Sequence, residues 1–197
     1  MSHNQTRNLY VNLSARSWRY TSTIDPRIGD FHRRFPGFSV TPLISLDSVA
    51  AELGVKHVLI KDESTRMGLP SFKILGASWA AYRAILHEVN LAVGVSLQNL
   101  SVAARKENIK LFAATDGNHG RAVARVAKLL GIKAIIFIPM DLDQITHDLI
   151  ASEEARVIVH EGDYDSTVRQ AKVQAETAGG ILIQDTAFKG YEEIPQV

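Results

Sequence analysis

From about residue 55 onward, hydrophobic residues alternate between short continuous runs and longer stretches with a period of three to four. The short runs predict buried strands, and the periodic stretches predict helices. The last four runs begin 22 to 25 residues apart, which leaves room for one helix in each crossover. This spacing indicates a parallel sheet covered on both faces. The predicted strands are residues 57–60, 111–114, 134–138, 157–159 and 181–183.

A helix predicted to start near residue 72 carries a lysine in its first turn. Its apolar residues recur at spacings of three and four, so one face of the helix packs on the core while Lys73 lies at the helix start. The apolar positions are Phe72, Leu75, Trp79, Tyr82, Leu86 and Val89.

Two later helices carry signals for their ends. Val123, Val126 and Leu130 share one helix face, and Gly131 follows as a predicted C-cap. The last predicted helix runs toward Ala178 and ends at two glycines. Its alternative N-caps are Asp165, Ser166 and Thr167.

The first 40 residues show no sustained hydrophobic period. They contain the pair Arg33-Arg34, several aromatic residues, and the prolines Pro26 and Pro36, with Pro42 just beyond. We therefore predict extended segments that wrap over a neighbouring domain. Residues 90–101 also lack a clear pattern, and no secondary structure is predicted for them.

Composition and charge narrow the class of protein. The 197-residue chain is 46% hydrophobic and 22% charged, as expected for a globular protein that buries a core. The formal net charge of +1, from 22 basic and 21 acidic residues, points to neither nucleic acid nor a membrane. The absence of cysteine excludes disulfides, thiolate metal sites and a cysteine nucleophile, and the seven histidines lack the close pairing of a metal site. Chemistry on a small molecule is therefore favoured.

The sequence predicts neither export nor membrane insertion. The first five residues lack a basic segment followed by an apolar one. The apolar stretch 134–140 is much shorter than the roughly 20 residues that span a bilayer. We therefore predict a cytoplasmic protein.

The motif Ser71-Phe72-Lys73 is the first candidate for chemistry. A lysine at a helix start lies against the positive end of the helix dipole, which favours the neutral amine that Schiff-base chemistry needs. By itself the motif is weak, because most lysines in first turns are solvated surface residues.

The second candidate is the turn from Thr115 to Gly120, which follows a predicted strand and precedes a helix. Its glycines allow a tight turn whose backbone N–H groups can face an anion such as a substrate carboxylate. The alternative is an ordinary turn in which Asp116 or Asn118 is only a helix cap. His119, in the same turn, is either a proton shuttle or a structural residue.

Three motifs occur in order along the chain: Lys61-Asp62-Glu63-Ser64, Ser71-Phe72-Lys73 and Thr115-Asp116-Gly117-Asn118-His119-Gly120-Arg121. Together they resemble the fold type II pyridoxal phosphate enzymes, the group that includes tryptophan synthase β and threonine dehydratase. Asp116 and the later motifs Gln184-Asp185-Thr186 and Gly190-Tyr191-Glu192-Glu193 are more narrowly similar to the diaminopropionate ammonia-lyases. The resemblance extends from residue 41 to residue 197.

The resemblance implies an α/β fold with parallel sheets, helices on both faces and two domains, the second of them incomplete. Residues 1–54 would form an N-terminal extended segment and the start of a large domain. Residues 55–197 would form a βα-repeat region that holds the small domain and the beginning of the rest of the large domain. A homodimer is expected on the same ground.

The resemblance also implies roles for individual residues. Lys73 would hold the cofactor pyridoxal 5'-phosphate through a Schiff base and act as a base toward the substrate, and Asn118 would contact the phenolic oxygen of the cofactor. Asp116 would be a second acid or base on the opposite side of the substrate. The predicted substrate-binding residues are Thr115, Gly117 and Asp185, with Asp185 near the distal ammonium group of the substrate. The alternative for Asp185 is a residue at a strand end that caps a local turn.

The implied activity is α,β-elimination of 2,3-diaminopropionate to pyruvate and ammonia. Two alternatives stay open: an enzyme of the serine or threonine dehydratase type, and an inactive fragment that acts only as a binding module. The partners expected from the sequence are a small amino-acid substrate, with no nucleic acid and no membrane.

The sequence departs from the family pattern in two places. The Gly-rich loop that holds the cofactor phosphate and the polar residue at the pyridine nitrogen are expected beyond residue 197, so the chain is predicted to be truncated at its C-terminus. Relatives tend to have a glycine in the segment that corresponds to Ser152-Glu153-Glu154-Ala155. This second departure is expected to affect a helix end and not the site.

Overall fold

The computed structural model describes residues 12–19 and 25–196, which form seven α-helices and six β-strands. The helices are α1 (Pro26–Arg34), α2 (Asp47–Leu53), α3 (Lys73–Glu88), α4 (Leu97–Lys106), α5 (Asn118–Leu130), α6 (Gln144–Ala151) and α7 (Tyr164–Thr177). The strands are β1 (Leu43–Ser45), β2 (Leu59–Lys61), β3 (Lys110–Ala114), β4 (Lys133–Pro139), β5 (Arg156–His160) and β6 (Ile181–Leu182). Short 3₁₀ helices cover Leu13–Arg16 and Ile194–Gln196.

The main sheet has the strand order β5-β4-β3-β6, and all its pairings are parallel. The four predicted strands at 111–114, 134–138, 157–159 and 181–183 correspond to these four strands. The predicted strand at 57–60 corresponds to β2, which lies outside the main sheet and pairs antiparallel with β1. The predicted α/β class with a parallel sheet is confirmed.

Helices cover both faces of the main sheet, as predicted. On one face α5 packs against β3 and β4, with α3 and α4 packed against α5. On the other face the α7 residues Ala171 and Ala175 pack against Phe112, Ala114 and Phe137. Both faces of β3 are therefore buried, which explains why this strand reads as a continuous apolar run.

The predicted helix ends agree only in part with the structure. Lys73 is the first residue of α3, and Gly131 ends α5 with a φ of 66° as the predicted C-cap. The predicted N-caps of α7 are wrong, because the cap is Asp163, whose carboxylate accepts from the N–H of Ser166. The side chain of Thr167 instead donates to the carbonyl of Asp163.

The prediction of extended structure is wrong for residues 26–34, which form α1. Asp25 caps this helix, and Pro26 takes the first helical position, where its missing N–H costs nothing. The ring of Phe31 packs against Trp79 and Tyr82 of α3, and His32 Nε2 donates to the Leu75 carbonyl at 2.9 Å. These contacts join α1 to residues more than 40 positions away and bury one side of an amphipathic helix.

Residues 90–101, for which no structure was predicted, contain a loop and the start of α4. Ser96 caps α4 by accepting from the N–H of Asn99. The hydroxyl of Tyr82 accepts from the N–H of Gly94 and donates to the carbonyl of Val95, which fixes the loop to α3.

The expected departure at residues 152–155 does lie at a helix end. Glu154 follows α6 with a φ of 64°, in the left-handed region where glycine is favoured. Its side chain pairs with Lys128 at 2.9 Å. Among the residues in the two described ranges, no helix is both long enough and apolar enough to cross a bilayer.

The motif at residues 61–64 builds a buried ion pair beside the β1–β2 ribbon. Arg66 donates two hydrogen bonds to the carboxylate of Glu63, at 2.5 and 2.7 Å, and one to the hydroxyl of Thr41 at 2.7 Å. It also donates to the carbonyl of Ser39 at 2.8 Å. The hydrogen bond from Arg66 is the main reason that the pKa of Glu63 falls to about 2. The role of Glu63 in this motif is therefore structural.

We expect Glu63→Gln to lower the free energy of unfolding at pH 7 by about 2–3 kcal/mol, because the buried Arg66 guanidinium loses its carboxylate. The folded-state pKa of Glu63 lies below its ordinary value of 4.5. Its contribution is therefore fully present above about pH 4.5 and is lost as the pH falls toward 2. Urea unfolding at pH 7 and pH 3 measures both effects.

Glu52→Gln is the matched control, because Glu52 is an exposed glutamate on α2. The Glu63→Gln variant should lose less stability than the wild type between pH 7 and pH 3. Equal urea midpoints for the two variants at pH 7 would contradict the structural role of Glu63.

Candidate functional site

The candidate site lies at the carboxyl edge of the main sheet and at the start of α3. Thr115 and Asp116 follow β3, and Asp185 comes shortly after β6. Because parallel strands end at the same edge, this topology brings together residues that are distant in sequence. Lys73 reaches the same edge from the first turn of α3.

Lys73 forms an ion pair with Asp185 between its Nζ atom and the Oδ2 atom of the carboxylate. The lysine side chain is 37% exposed, and the aspartate side chain is 27% exposed. The N–H of Lys73 donates to the hydroxyl of Ser71 at 3.1 Å, so the serine of the motif caps the helix start. The pair joins two residues that are 112 positions apart and leaves the amine open to solvent.

Asp185 is held in its ionised form. Burial acts to raise the pKa of this carboxyl, but the nearby His119 and the hydrogen bond from Lys73 outweigh it and hold the pKa below its usual value. His119 Nδ1 lies 3.7 Å from Asp185 Oδ2. The carboxylate therefore faces two nitrogen groups.

His119 is buried, and its Nε2 atom donates to the carbonyl of Ile183 at 2.8 Å. Burial lowers the pKa of this imidazole, although the neighbouring Asp185 carboxylate acts in the opposite direction. The hydrogen bond ties the first turn of α5 to the segment that carries Asp185. His119 therefore has a clear structural contact within the site.

The turn after β3 is shaped by Thr115 and two glycines. The buried hydroxyl of Thr115 accepts from the N–H groups of Gly117 and Gly120, each at 2.9 Å. Gly117 has a φ of 143°, which disfavours any other residue. A Cβ atom on Gly120 would lie 2.3 Å from Thr115 Cγ2 and 2.7 Å from Ile136 Cγ2. Gly117 is therefore required by its backbone conformation, and Gly120 by the side chains packed against it.

The side chains of Asp116 and Asn118 are exposed, and neither caps α5. The hydroxyl of Thr115 binds the N–H groups at the start of α5, the role that was predicted as an alternative for Asp116 or Asn118. The structure shows no hydrogen bond to either side chain from any residue in the ranges 12–19 and 25–196. Both groups are thus available to a ligand at this edge.

Asp116 borders an open cleft of about 690 Å³ at the ends of β3, β4 and β5. Reduced hydration and the neighbouring carboxylates of Asp141 and Asp185 raise the pKa of Asp116. The residues that line this cleft include Asp116, Pro139, Asp141, Glu161, Asp163 and Tyr164. An acid whose pKa is raised can hold a proton closer to neutral pH than an ordinary aspartate.

Gln184 fixes the position of Asp185. Its side chain is 1% exposed, accepts from the N–H of Ala114 at 3.0 Å and donates to the hydroxyl of Tyr164 at 2.9 Å. Its own N–H donates to the hydroxyl of Tyr191 at 2.8 Å. Burial raises the pKa of Tyr191 to about 12, so this hydroxyl keeps its proton and donates to the carbonyl of Leu182. The end of β3 and the segment after β6 are therefore connected.

Gln184 and Tyr191 occur in motifs identified in the sequence, but no role was predicted for them. Tyr164 was not predicted as a site residue. Of the predicted site residues, Lys73 and Asp185 are in direct contact, while Asp116 interacts with Asp185 electrostatically. Asn118 and Gly117 lie in the adjoining turn. Among the described residues, no group of three or more histidine, cysteine or acidic side chains could hold a metal ion.

Comparisons with known proteins agree on one family. The sequence model described as "Pyridoxal-phosphate dependent enzyme" matches residues 35–194. The chain is 40% identical over 169 residues to the diaminopropionate ammonia-lyase of Salmonella typhimurium, covering 84% of this chain and 42% of that protein. It is 30% identical over 138 residues to the biosynthetic L-threonine dehydratase of Pasteurella multocida, covering 70% of this chain and 23% of that protein.

Solved structures give the same result. The crystal structure of Escherichia coli diaminopropionate ammonia-lyase in complex with D-serine has a TM-score of 0.81 and 38% identity, covering 86% of this chain and 44% of that chain. The same enzyme with an aminoacrylate reaction intermediate has a TM-score of 0.79 and 37% identity, covering 86% and 43%. The chain thus spans less than half the length of these relatives.

We expect that replacing Asp141 or Asp185 with asparagine lowers the pKa of Asp116, because each change removes a nearby negative charge. The shift should be partial, because the reduced hydration of Asp116 remains. NMR titration of the side-chain carboxyl carbons measures the pKa directly. Glu88→Gln, an exposed change at the end of α3, should leave it unchanged. A titration midpoint that moves in neither aspartate variant would contradict the proximity of these carboxylates.

Proposed function

The chain belongs to the family of pyridoxal-phosphate dependent enzymes, and on this premise we propose that it forms the catalytic-lysine part of a diaminopropionate ammonia-lyase. The proposed reaction converts 2,3-diaminopropionate and water to pyruvate and two molecules of ammonia. The observation that carries the proposal is the contact between Lys73 and Asp185 at the sheet edge where Asp116 also lies. The 40% identity to diaminopropionate ammonia-lyases supports the choice of substrate.

The residues at this edge fit the reactive end of the cofactor. Lys73 supplies an amine that is open to solvent, and Asn118 supplies an exposed amide at the start of α5. We propose that Lys73 bonds the cofactor and that Asn118 contacts its ring oxygen. When bound, pyridoxal phosphate supplies an electron sink for the negative charge left at the substrate α-carbon.

Asp185 is proposed to bind the distal ammonium group of the substrate. In this structure the partner of its carboxylate is an ammonium group, that of Lys73. The lowered pKa of Asp185 keeps the carboxylate charged, which charge-assisted recognition of a second amine requires. The network around Gln184 fixes the carboxylate in place, so it is oriented before a substrate arrives.

Asp116 and Lys73 are proposed to move protons on opposite sides of the substrate. Lys73 would take a proton from the α-carbon, and Asp116 would serve the other face. The raised pKa of Asp116 suits a group that both accepts and returns a proton. A base on each face would allow both enantiomers of the substrate to react.

Thr115 and Gly117 are proposed to bind the carboxylate side of the substrate through the turn that they form. The Thr115 hydroxyl and the Gly117 N–H already bond to each other within the turn. Their contribution would therefore be to hold the start of α5, whose positive end favours an anion.

A dehydratase acting on serine or threonine is the second candidate. Its support is the 30% identity to a threonine dehydratase and the D-serine bound in a related crystal structure. Asp116 distinguishes the candidates, because a dehydratase would not need a base on the second face. An inactive binding module is the third candidate. We further propose a cytoplasmic location and a homodimer, on the grounds of bacterial metabolic relatives and family resemblance.

We expect borohydride reduction of the chain with pyridoxal phosphate to give one dominant adduct at Lys73, because the proposed contacts of the cofactor with Asn118 and the start of α5 would hold it at this amine. Peptide mapping by mass spectrometry locates the adduct. Lys73→Ala should remove it, whereas Lys106→Ala, a change on α4 away from the site, should not. Labelling spread over many lysines in both variants would contradict the cofactor site.

We expect the chain to form two ammonia molecules per pyruvate from D- and L-2,3-diaminopropionate. Asp116→Asn should lower turnover of one enantiomer by about a hundredfold, because it removes the acid or base on one face. Coupled assays of pyruvate and ammonia measure both quantities, with Asp165→Asn on α7 as the control. Equal loss on both enantiomers would count against the two-face assignment.

Two other outcomes of this assay address the alternatives. Turnover of serine that is unaffected by Asp116→Asn would favour the dehydratase. No turnover of either substrate, despite a Lys73 adduct, would favour the inactive binding module.

A further inference from the structure

The opposite edge of the main sheet begins with three basic residues. Lys110, Lys133 and Arg156 are the first residues of β3, β4 and β5. Lys110 is the direct neighbour of Lys133 in the parallel register, and Arg156 is the neighbour of Ile135. Because side chains alternate along a strand, all three basic side chains point to the face that α7 covers.

None of these three cations has a partner within residues 12–19 and 25–196. The structure shows no ion pair and no hydrogen bond to their side chains. Other basic side chains of this region are paired: Lys128 contacts Glu154, while Arg121 and Arg125 contact Glu153. Like charges on directly opposed positions of neighbouring strands repel each other. The positive charges of Lys110, Lys133 and Arg156 are therefore not balanced by ion pairs with other described residues.

The three cations border a groove of about 730 Å³ that is lined by both polar and apolar residues. This volume falls within the roughly 300–1,000 Å³ that small-molecule sites occupy. Glu153 and Glu154 also line the groove, but both carboxylates are already engaged by the basic residues named above. The apolar floor on the α7 side is formed by Phe112, Ile135, Ile158 and Ala178.

We propose that this groove binds a small organic anion, a phosphate monoester with an apolar body. The positive rim of Lys110, Lys133 and Arg156 would hold the doubly charged phosphate, and the floor around the partly exposed Ile135 and Ile158 would hold the body. Three cations without partners are better suited to a ligand with two negative charges than to a ligand with one. Apolar contact below the rim favours an ester over inorganic phosphate.

This site is separate from the one that contains Lys73. The two sites lie at opposite ends of the strands, and a five-residue strand such as β3 is about 16 Å long. The proposal therefore does not depend on the proposed function. It can be tested without cofactor.

The test uses phenyl phosphate as the probe, with the whole chain and isothermal titration calorimetry. We expect saturable binding of one molecule per chain, weaker binding of inorganic phosphate, and weaker binding at high salt. Lys133→Ala and Arg156→Ala should each lower the affinity about tenfold, because each removes a charge-assisted hydrogen bond to the phosphate. Both residues are exposed, so these changes should not disturb folding, which circular dichroism checks.

Lys106→Ala is the matched control and should leave the affinity unchanged, because Lys106 lies on α4 and does not line the groove. Backbone NMR shifts on titration should cluster at Lys110, Ala134 and Arg156. Equal affinities for the wild type and the rim variants would overturn the proposal, as would shifts that cluster at Lys73 and Asp185. Equal binding of phenyl phosphate and inorganic phosphate would overturn the assignment of an apolar body.

Discussion

The ion pair between Lys73 and Asp185 is the contact on which the arrangement of the candidate site depends. It connects the first turn of α3 to the segment that follows β6, across 112 positions of sequence. The pair is only partly buried, so in isolation it would contribute little to stability. Its importance is positional, because it places an accessible amine opposite a carboxylate that stays ionised. The chemistry proposed for the chain uses both of these groups.

Neighbouring residues also fix the position of Asp185. Gln184 bonds to the end of β3 and to Tyr164, while His119 bonds to the carbonyl of Ile183. Gln184 and His119 are buried and have hydrogen-bond partners, so moving the segment would leave buried polar atoms unpaired. The carboxylate of Asp185 is thus held in place by ordinary hydrogen bonds of its neighbours. The parallel sheet contributes by ending β3 and β6 at the same edge.

The sequence predicted the parts of the fold that have local causes. Continuous apolar runs predicted β3 to β6, and Gly131 predicted the end of α5, because burial and backbone conformation leave direct marks on composition. It failed for α1, although Asp25 and Pro26 form a local start signal and the short helix is amphipathic. The contacts with α3 that stabilise this helix join residues far apart in sequence. In the site, motifs identified Lys73, Asp116 and Asp185 as candidates, but the role of Gln184 depends on partners 70 and 20 positions away. Such partners become visible only in the folded chain.

The net charge of +1 conceals a separation of charge along the strands of the main sheet. Acidic residues gather at the carboxyl edge, where Asp116 and Asp141 border one cleft, and basic residues such as Lys110 and Lys133 begin the strands at the amino edge. A parallel sheet places all strand starts on one side and all strand ends on the other. Basic residues at the starts of β3, β4 and β5 therefore lie on the opposite side of the sheet from acidic residues in the segments that follow its strands. A near-neutral composition excludes a uniformly charged protein, but it does not exclude two oppositely charged sites. The acidic edge suits a substrate with two amino groups, and the basic edge suits an anion, so the same topology supports both proposals.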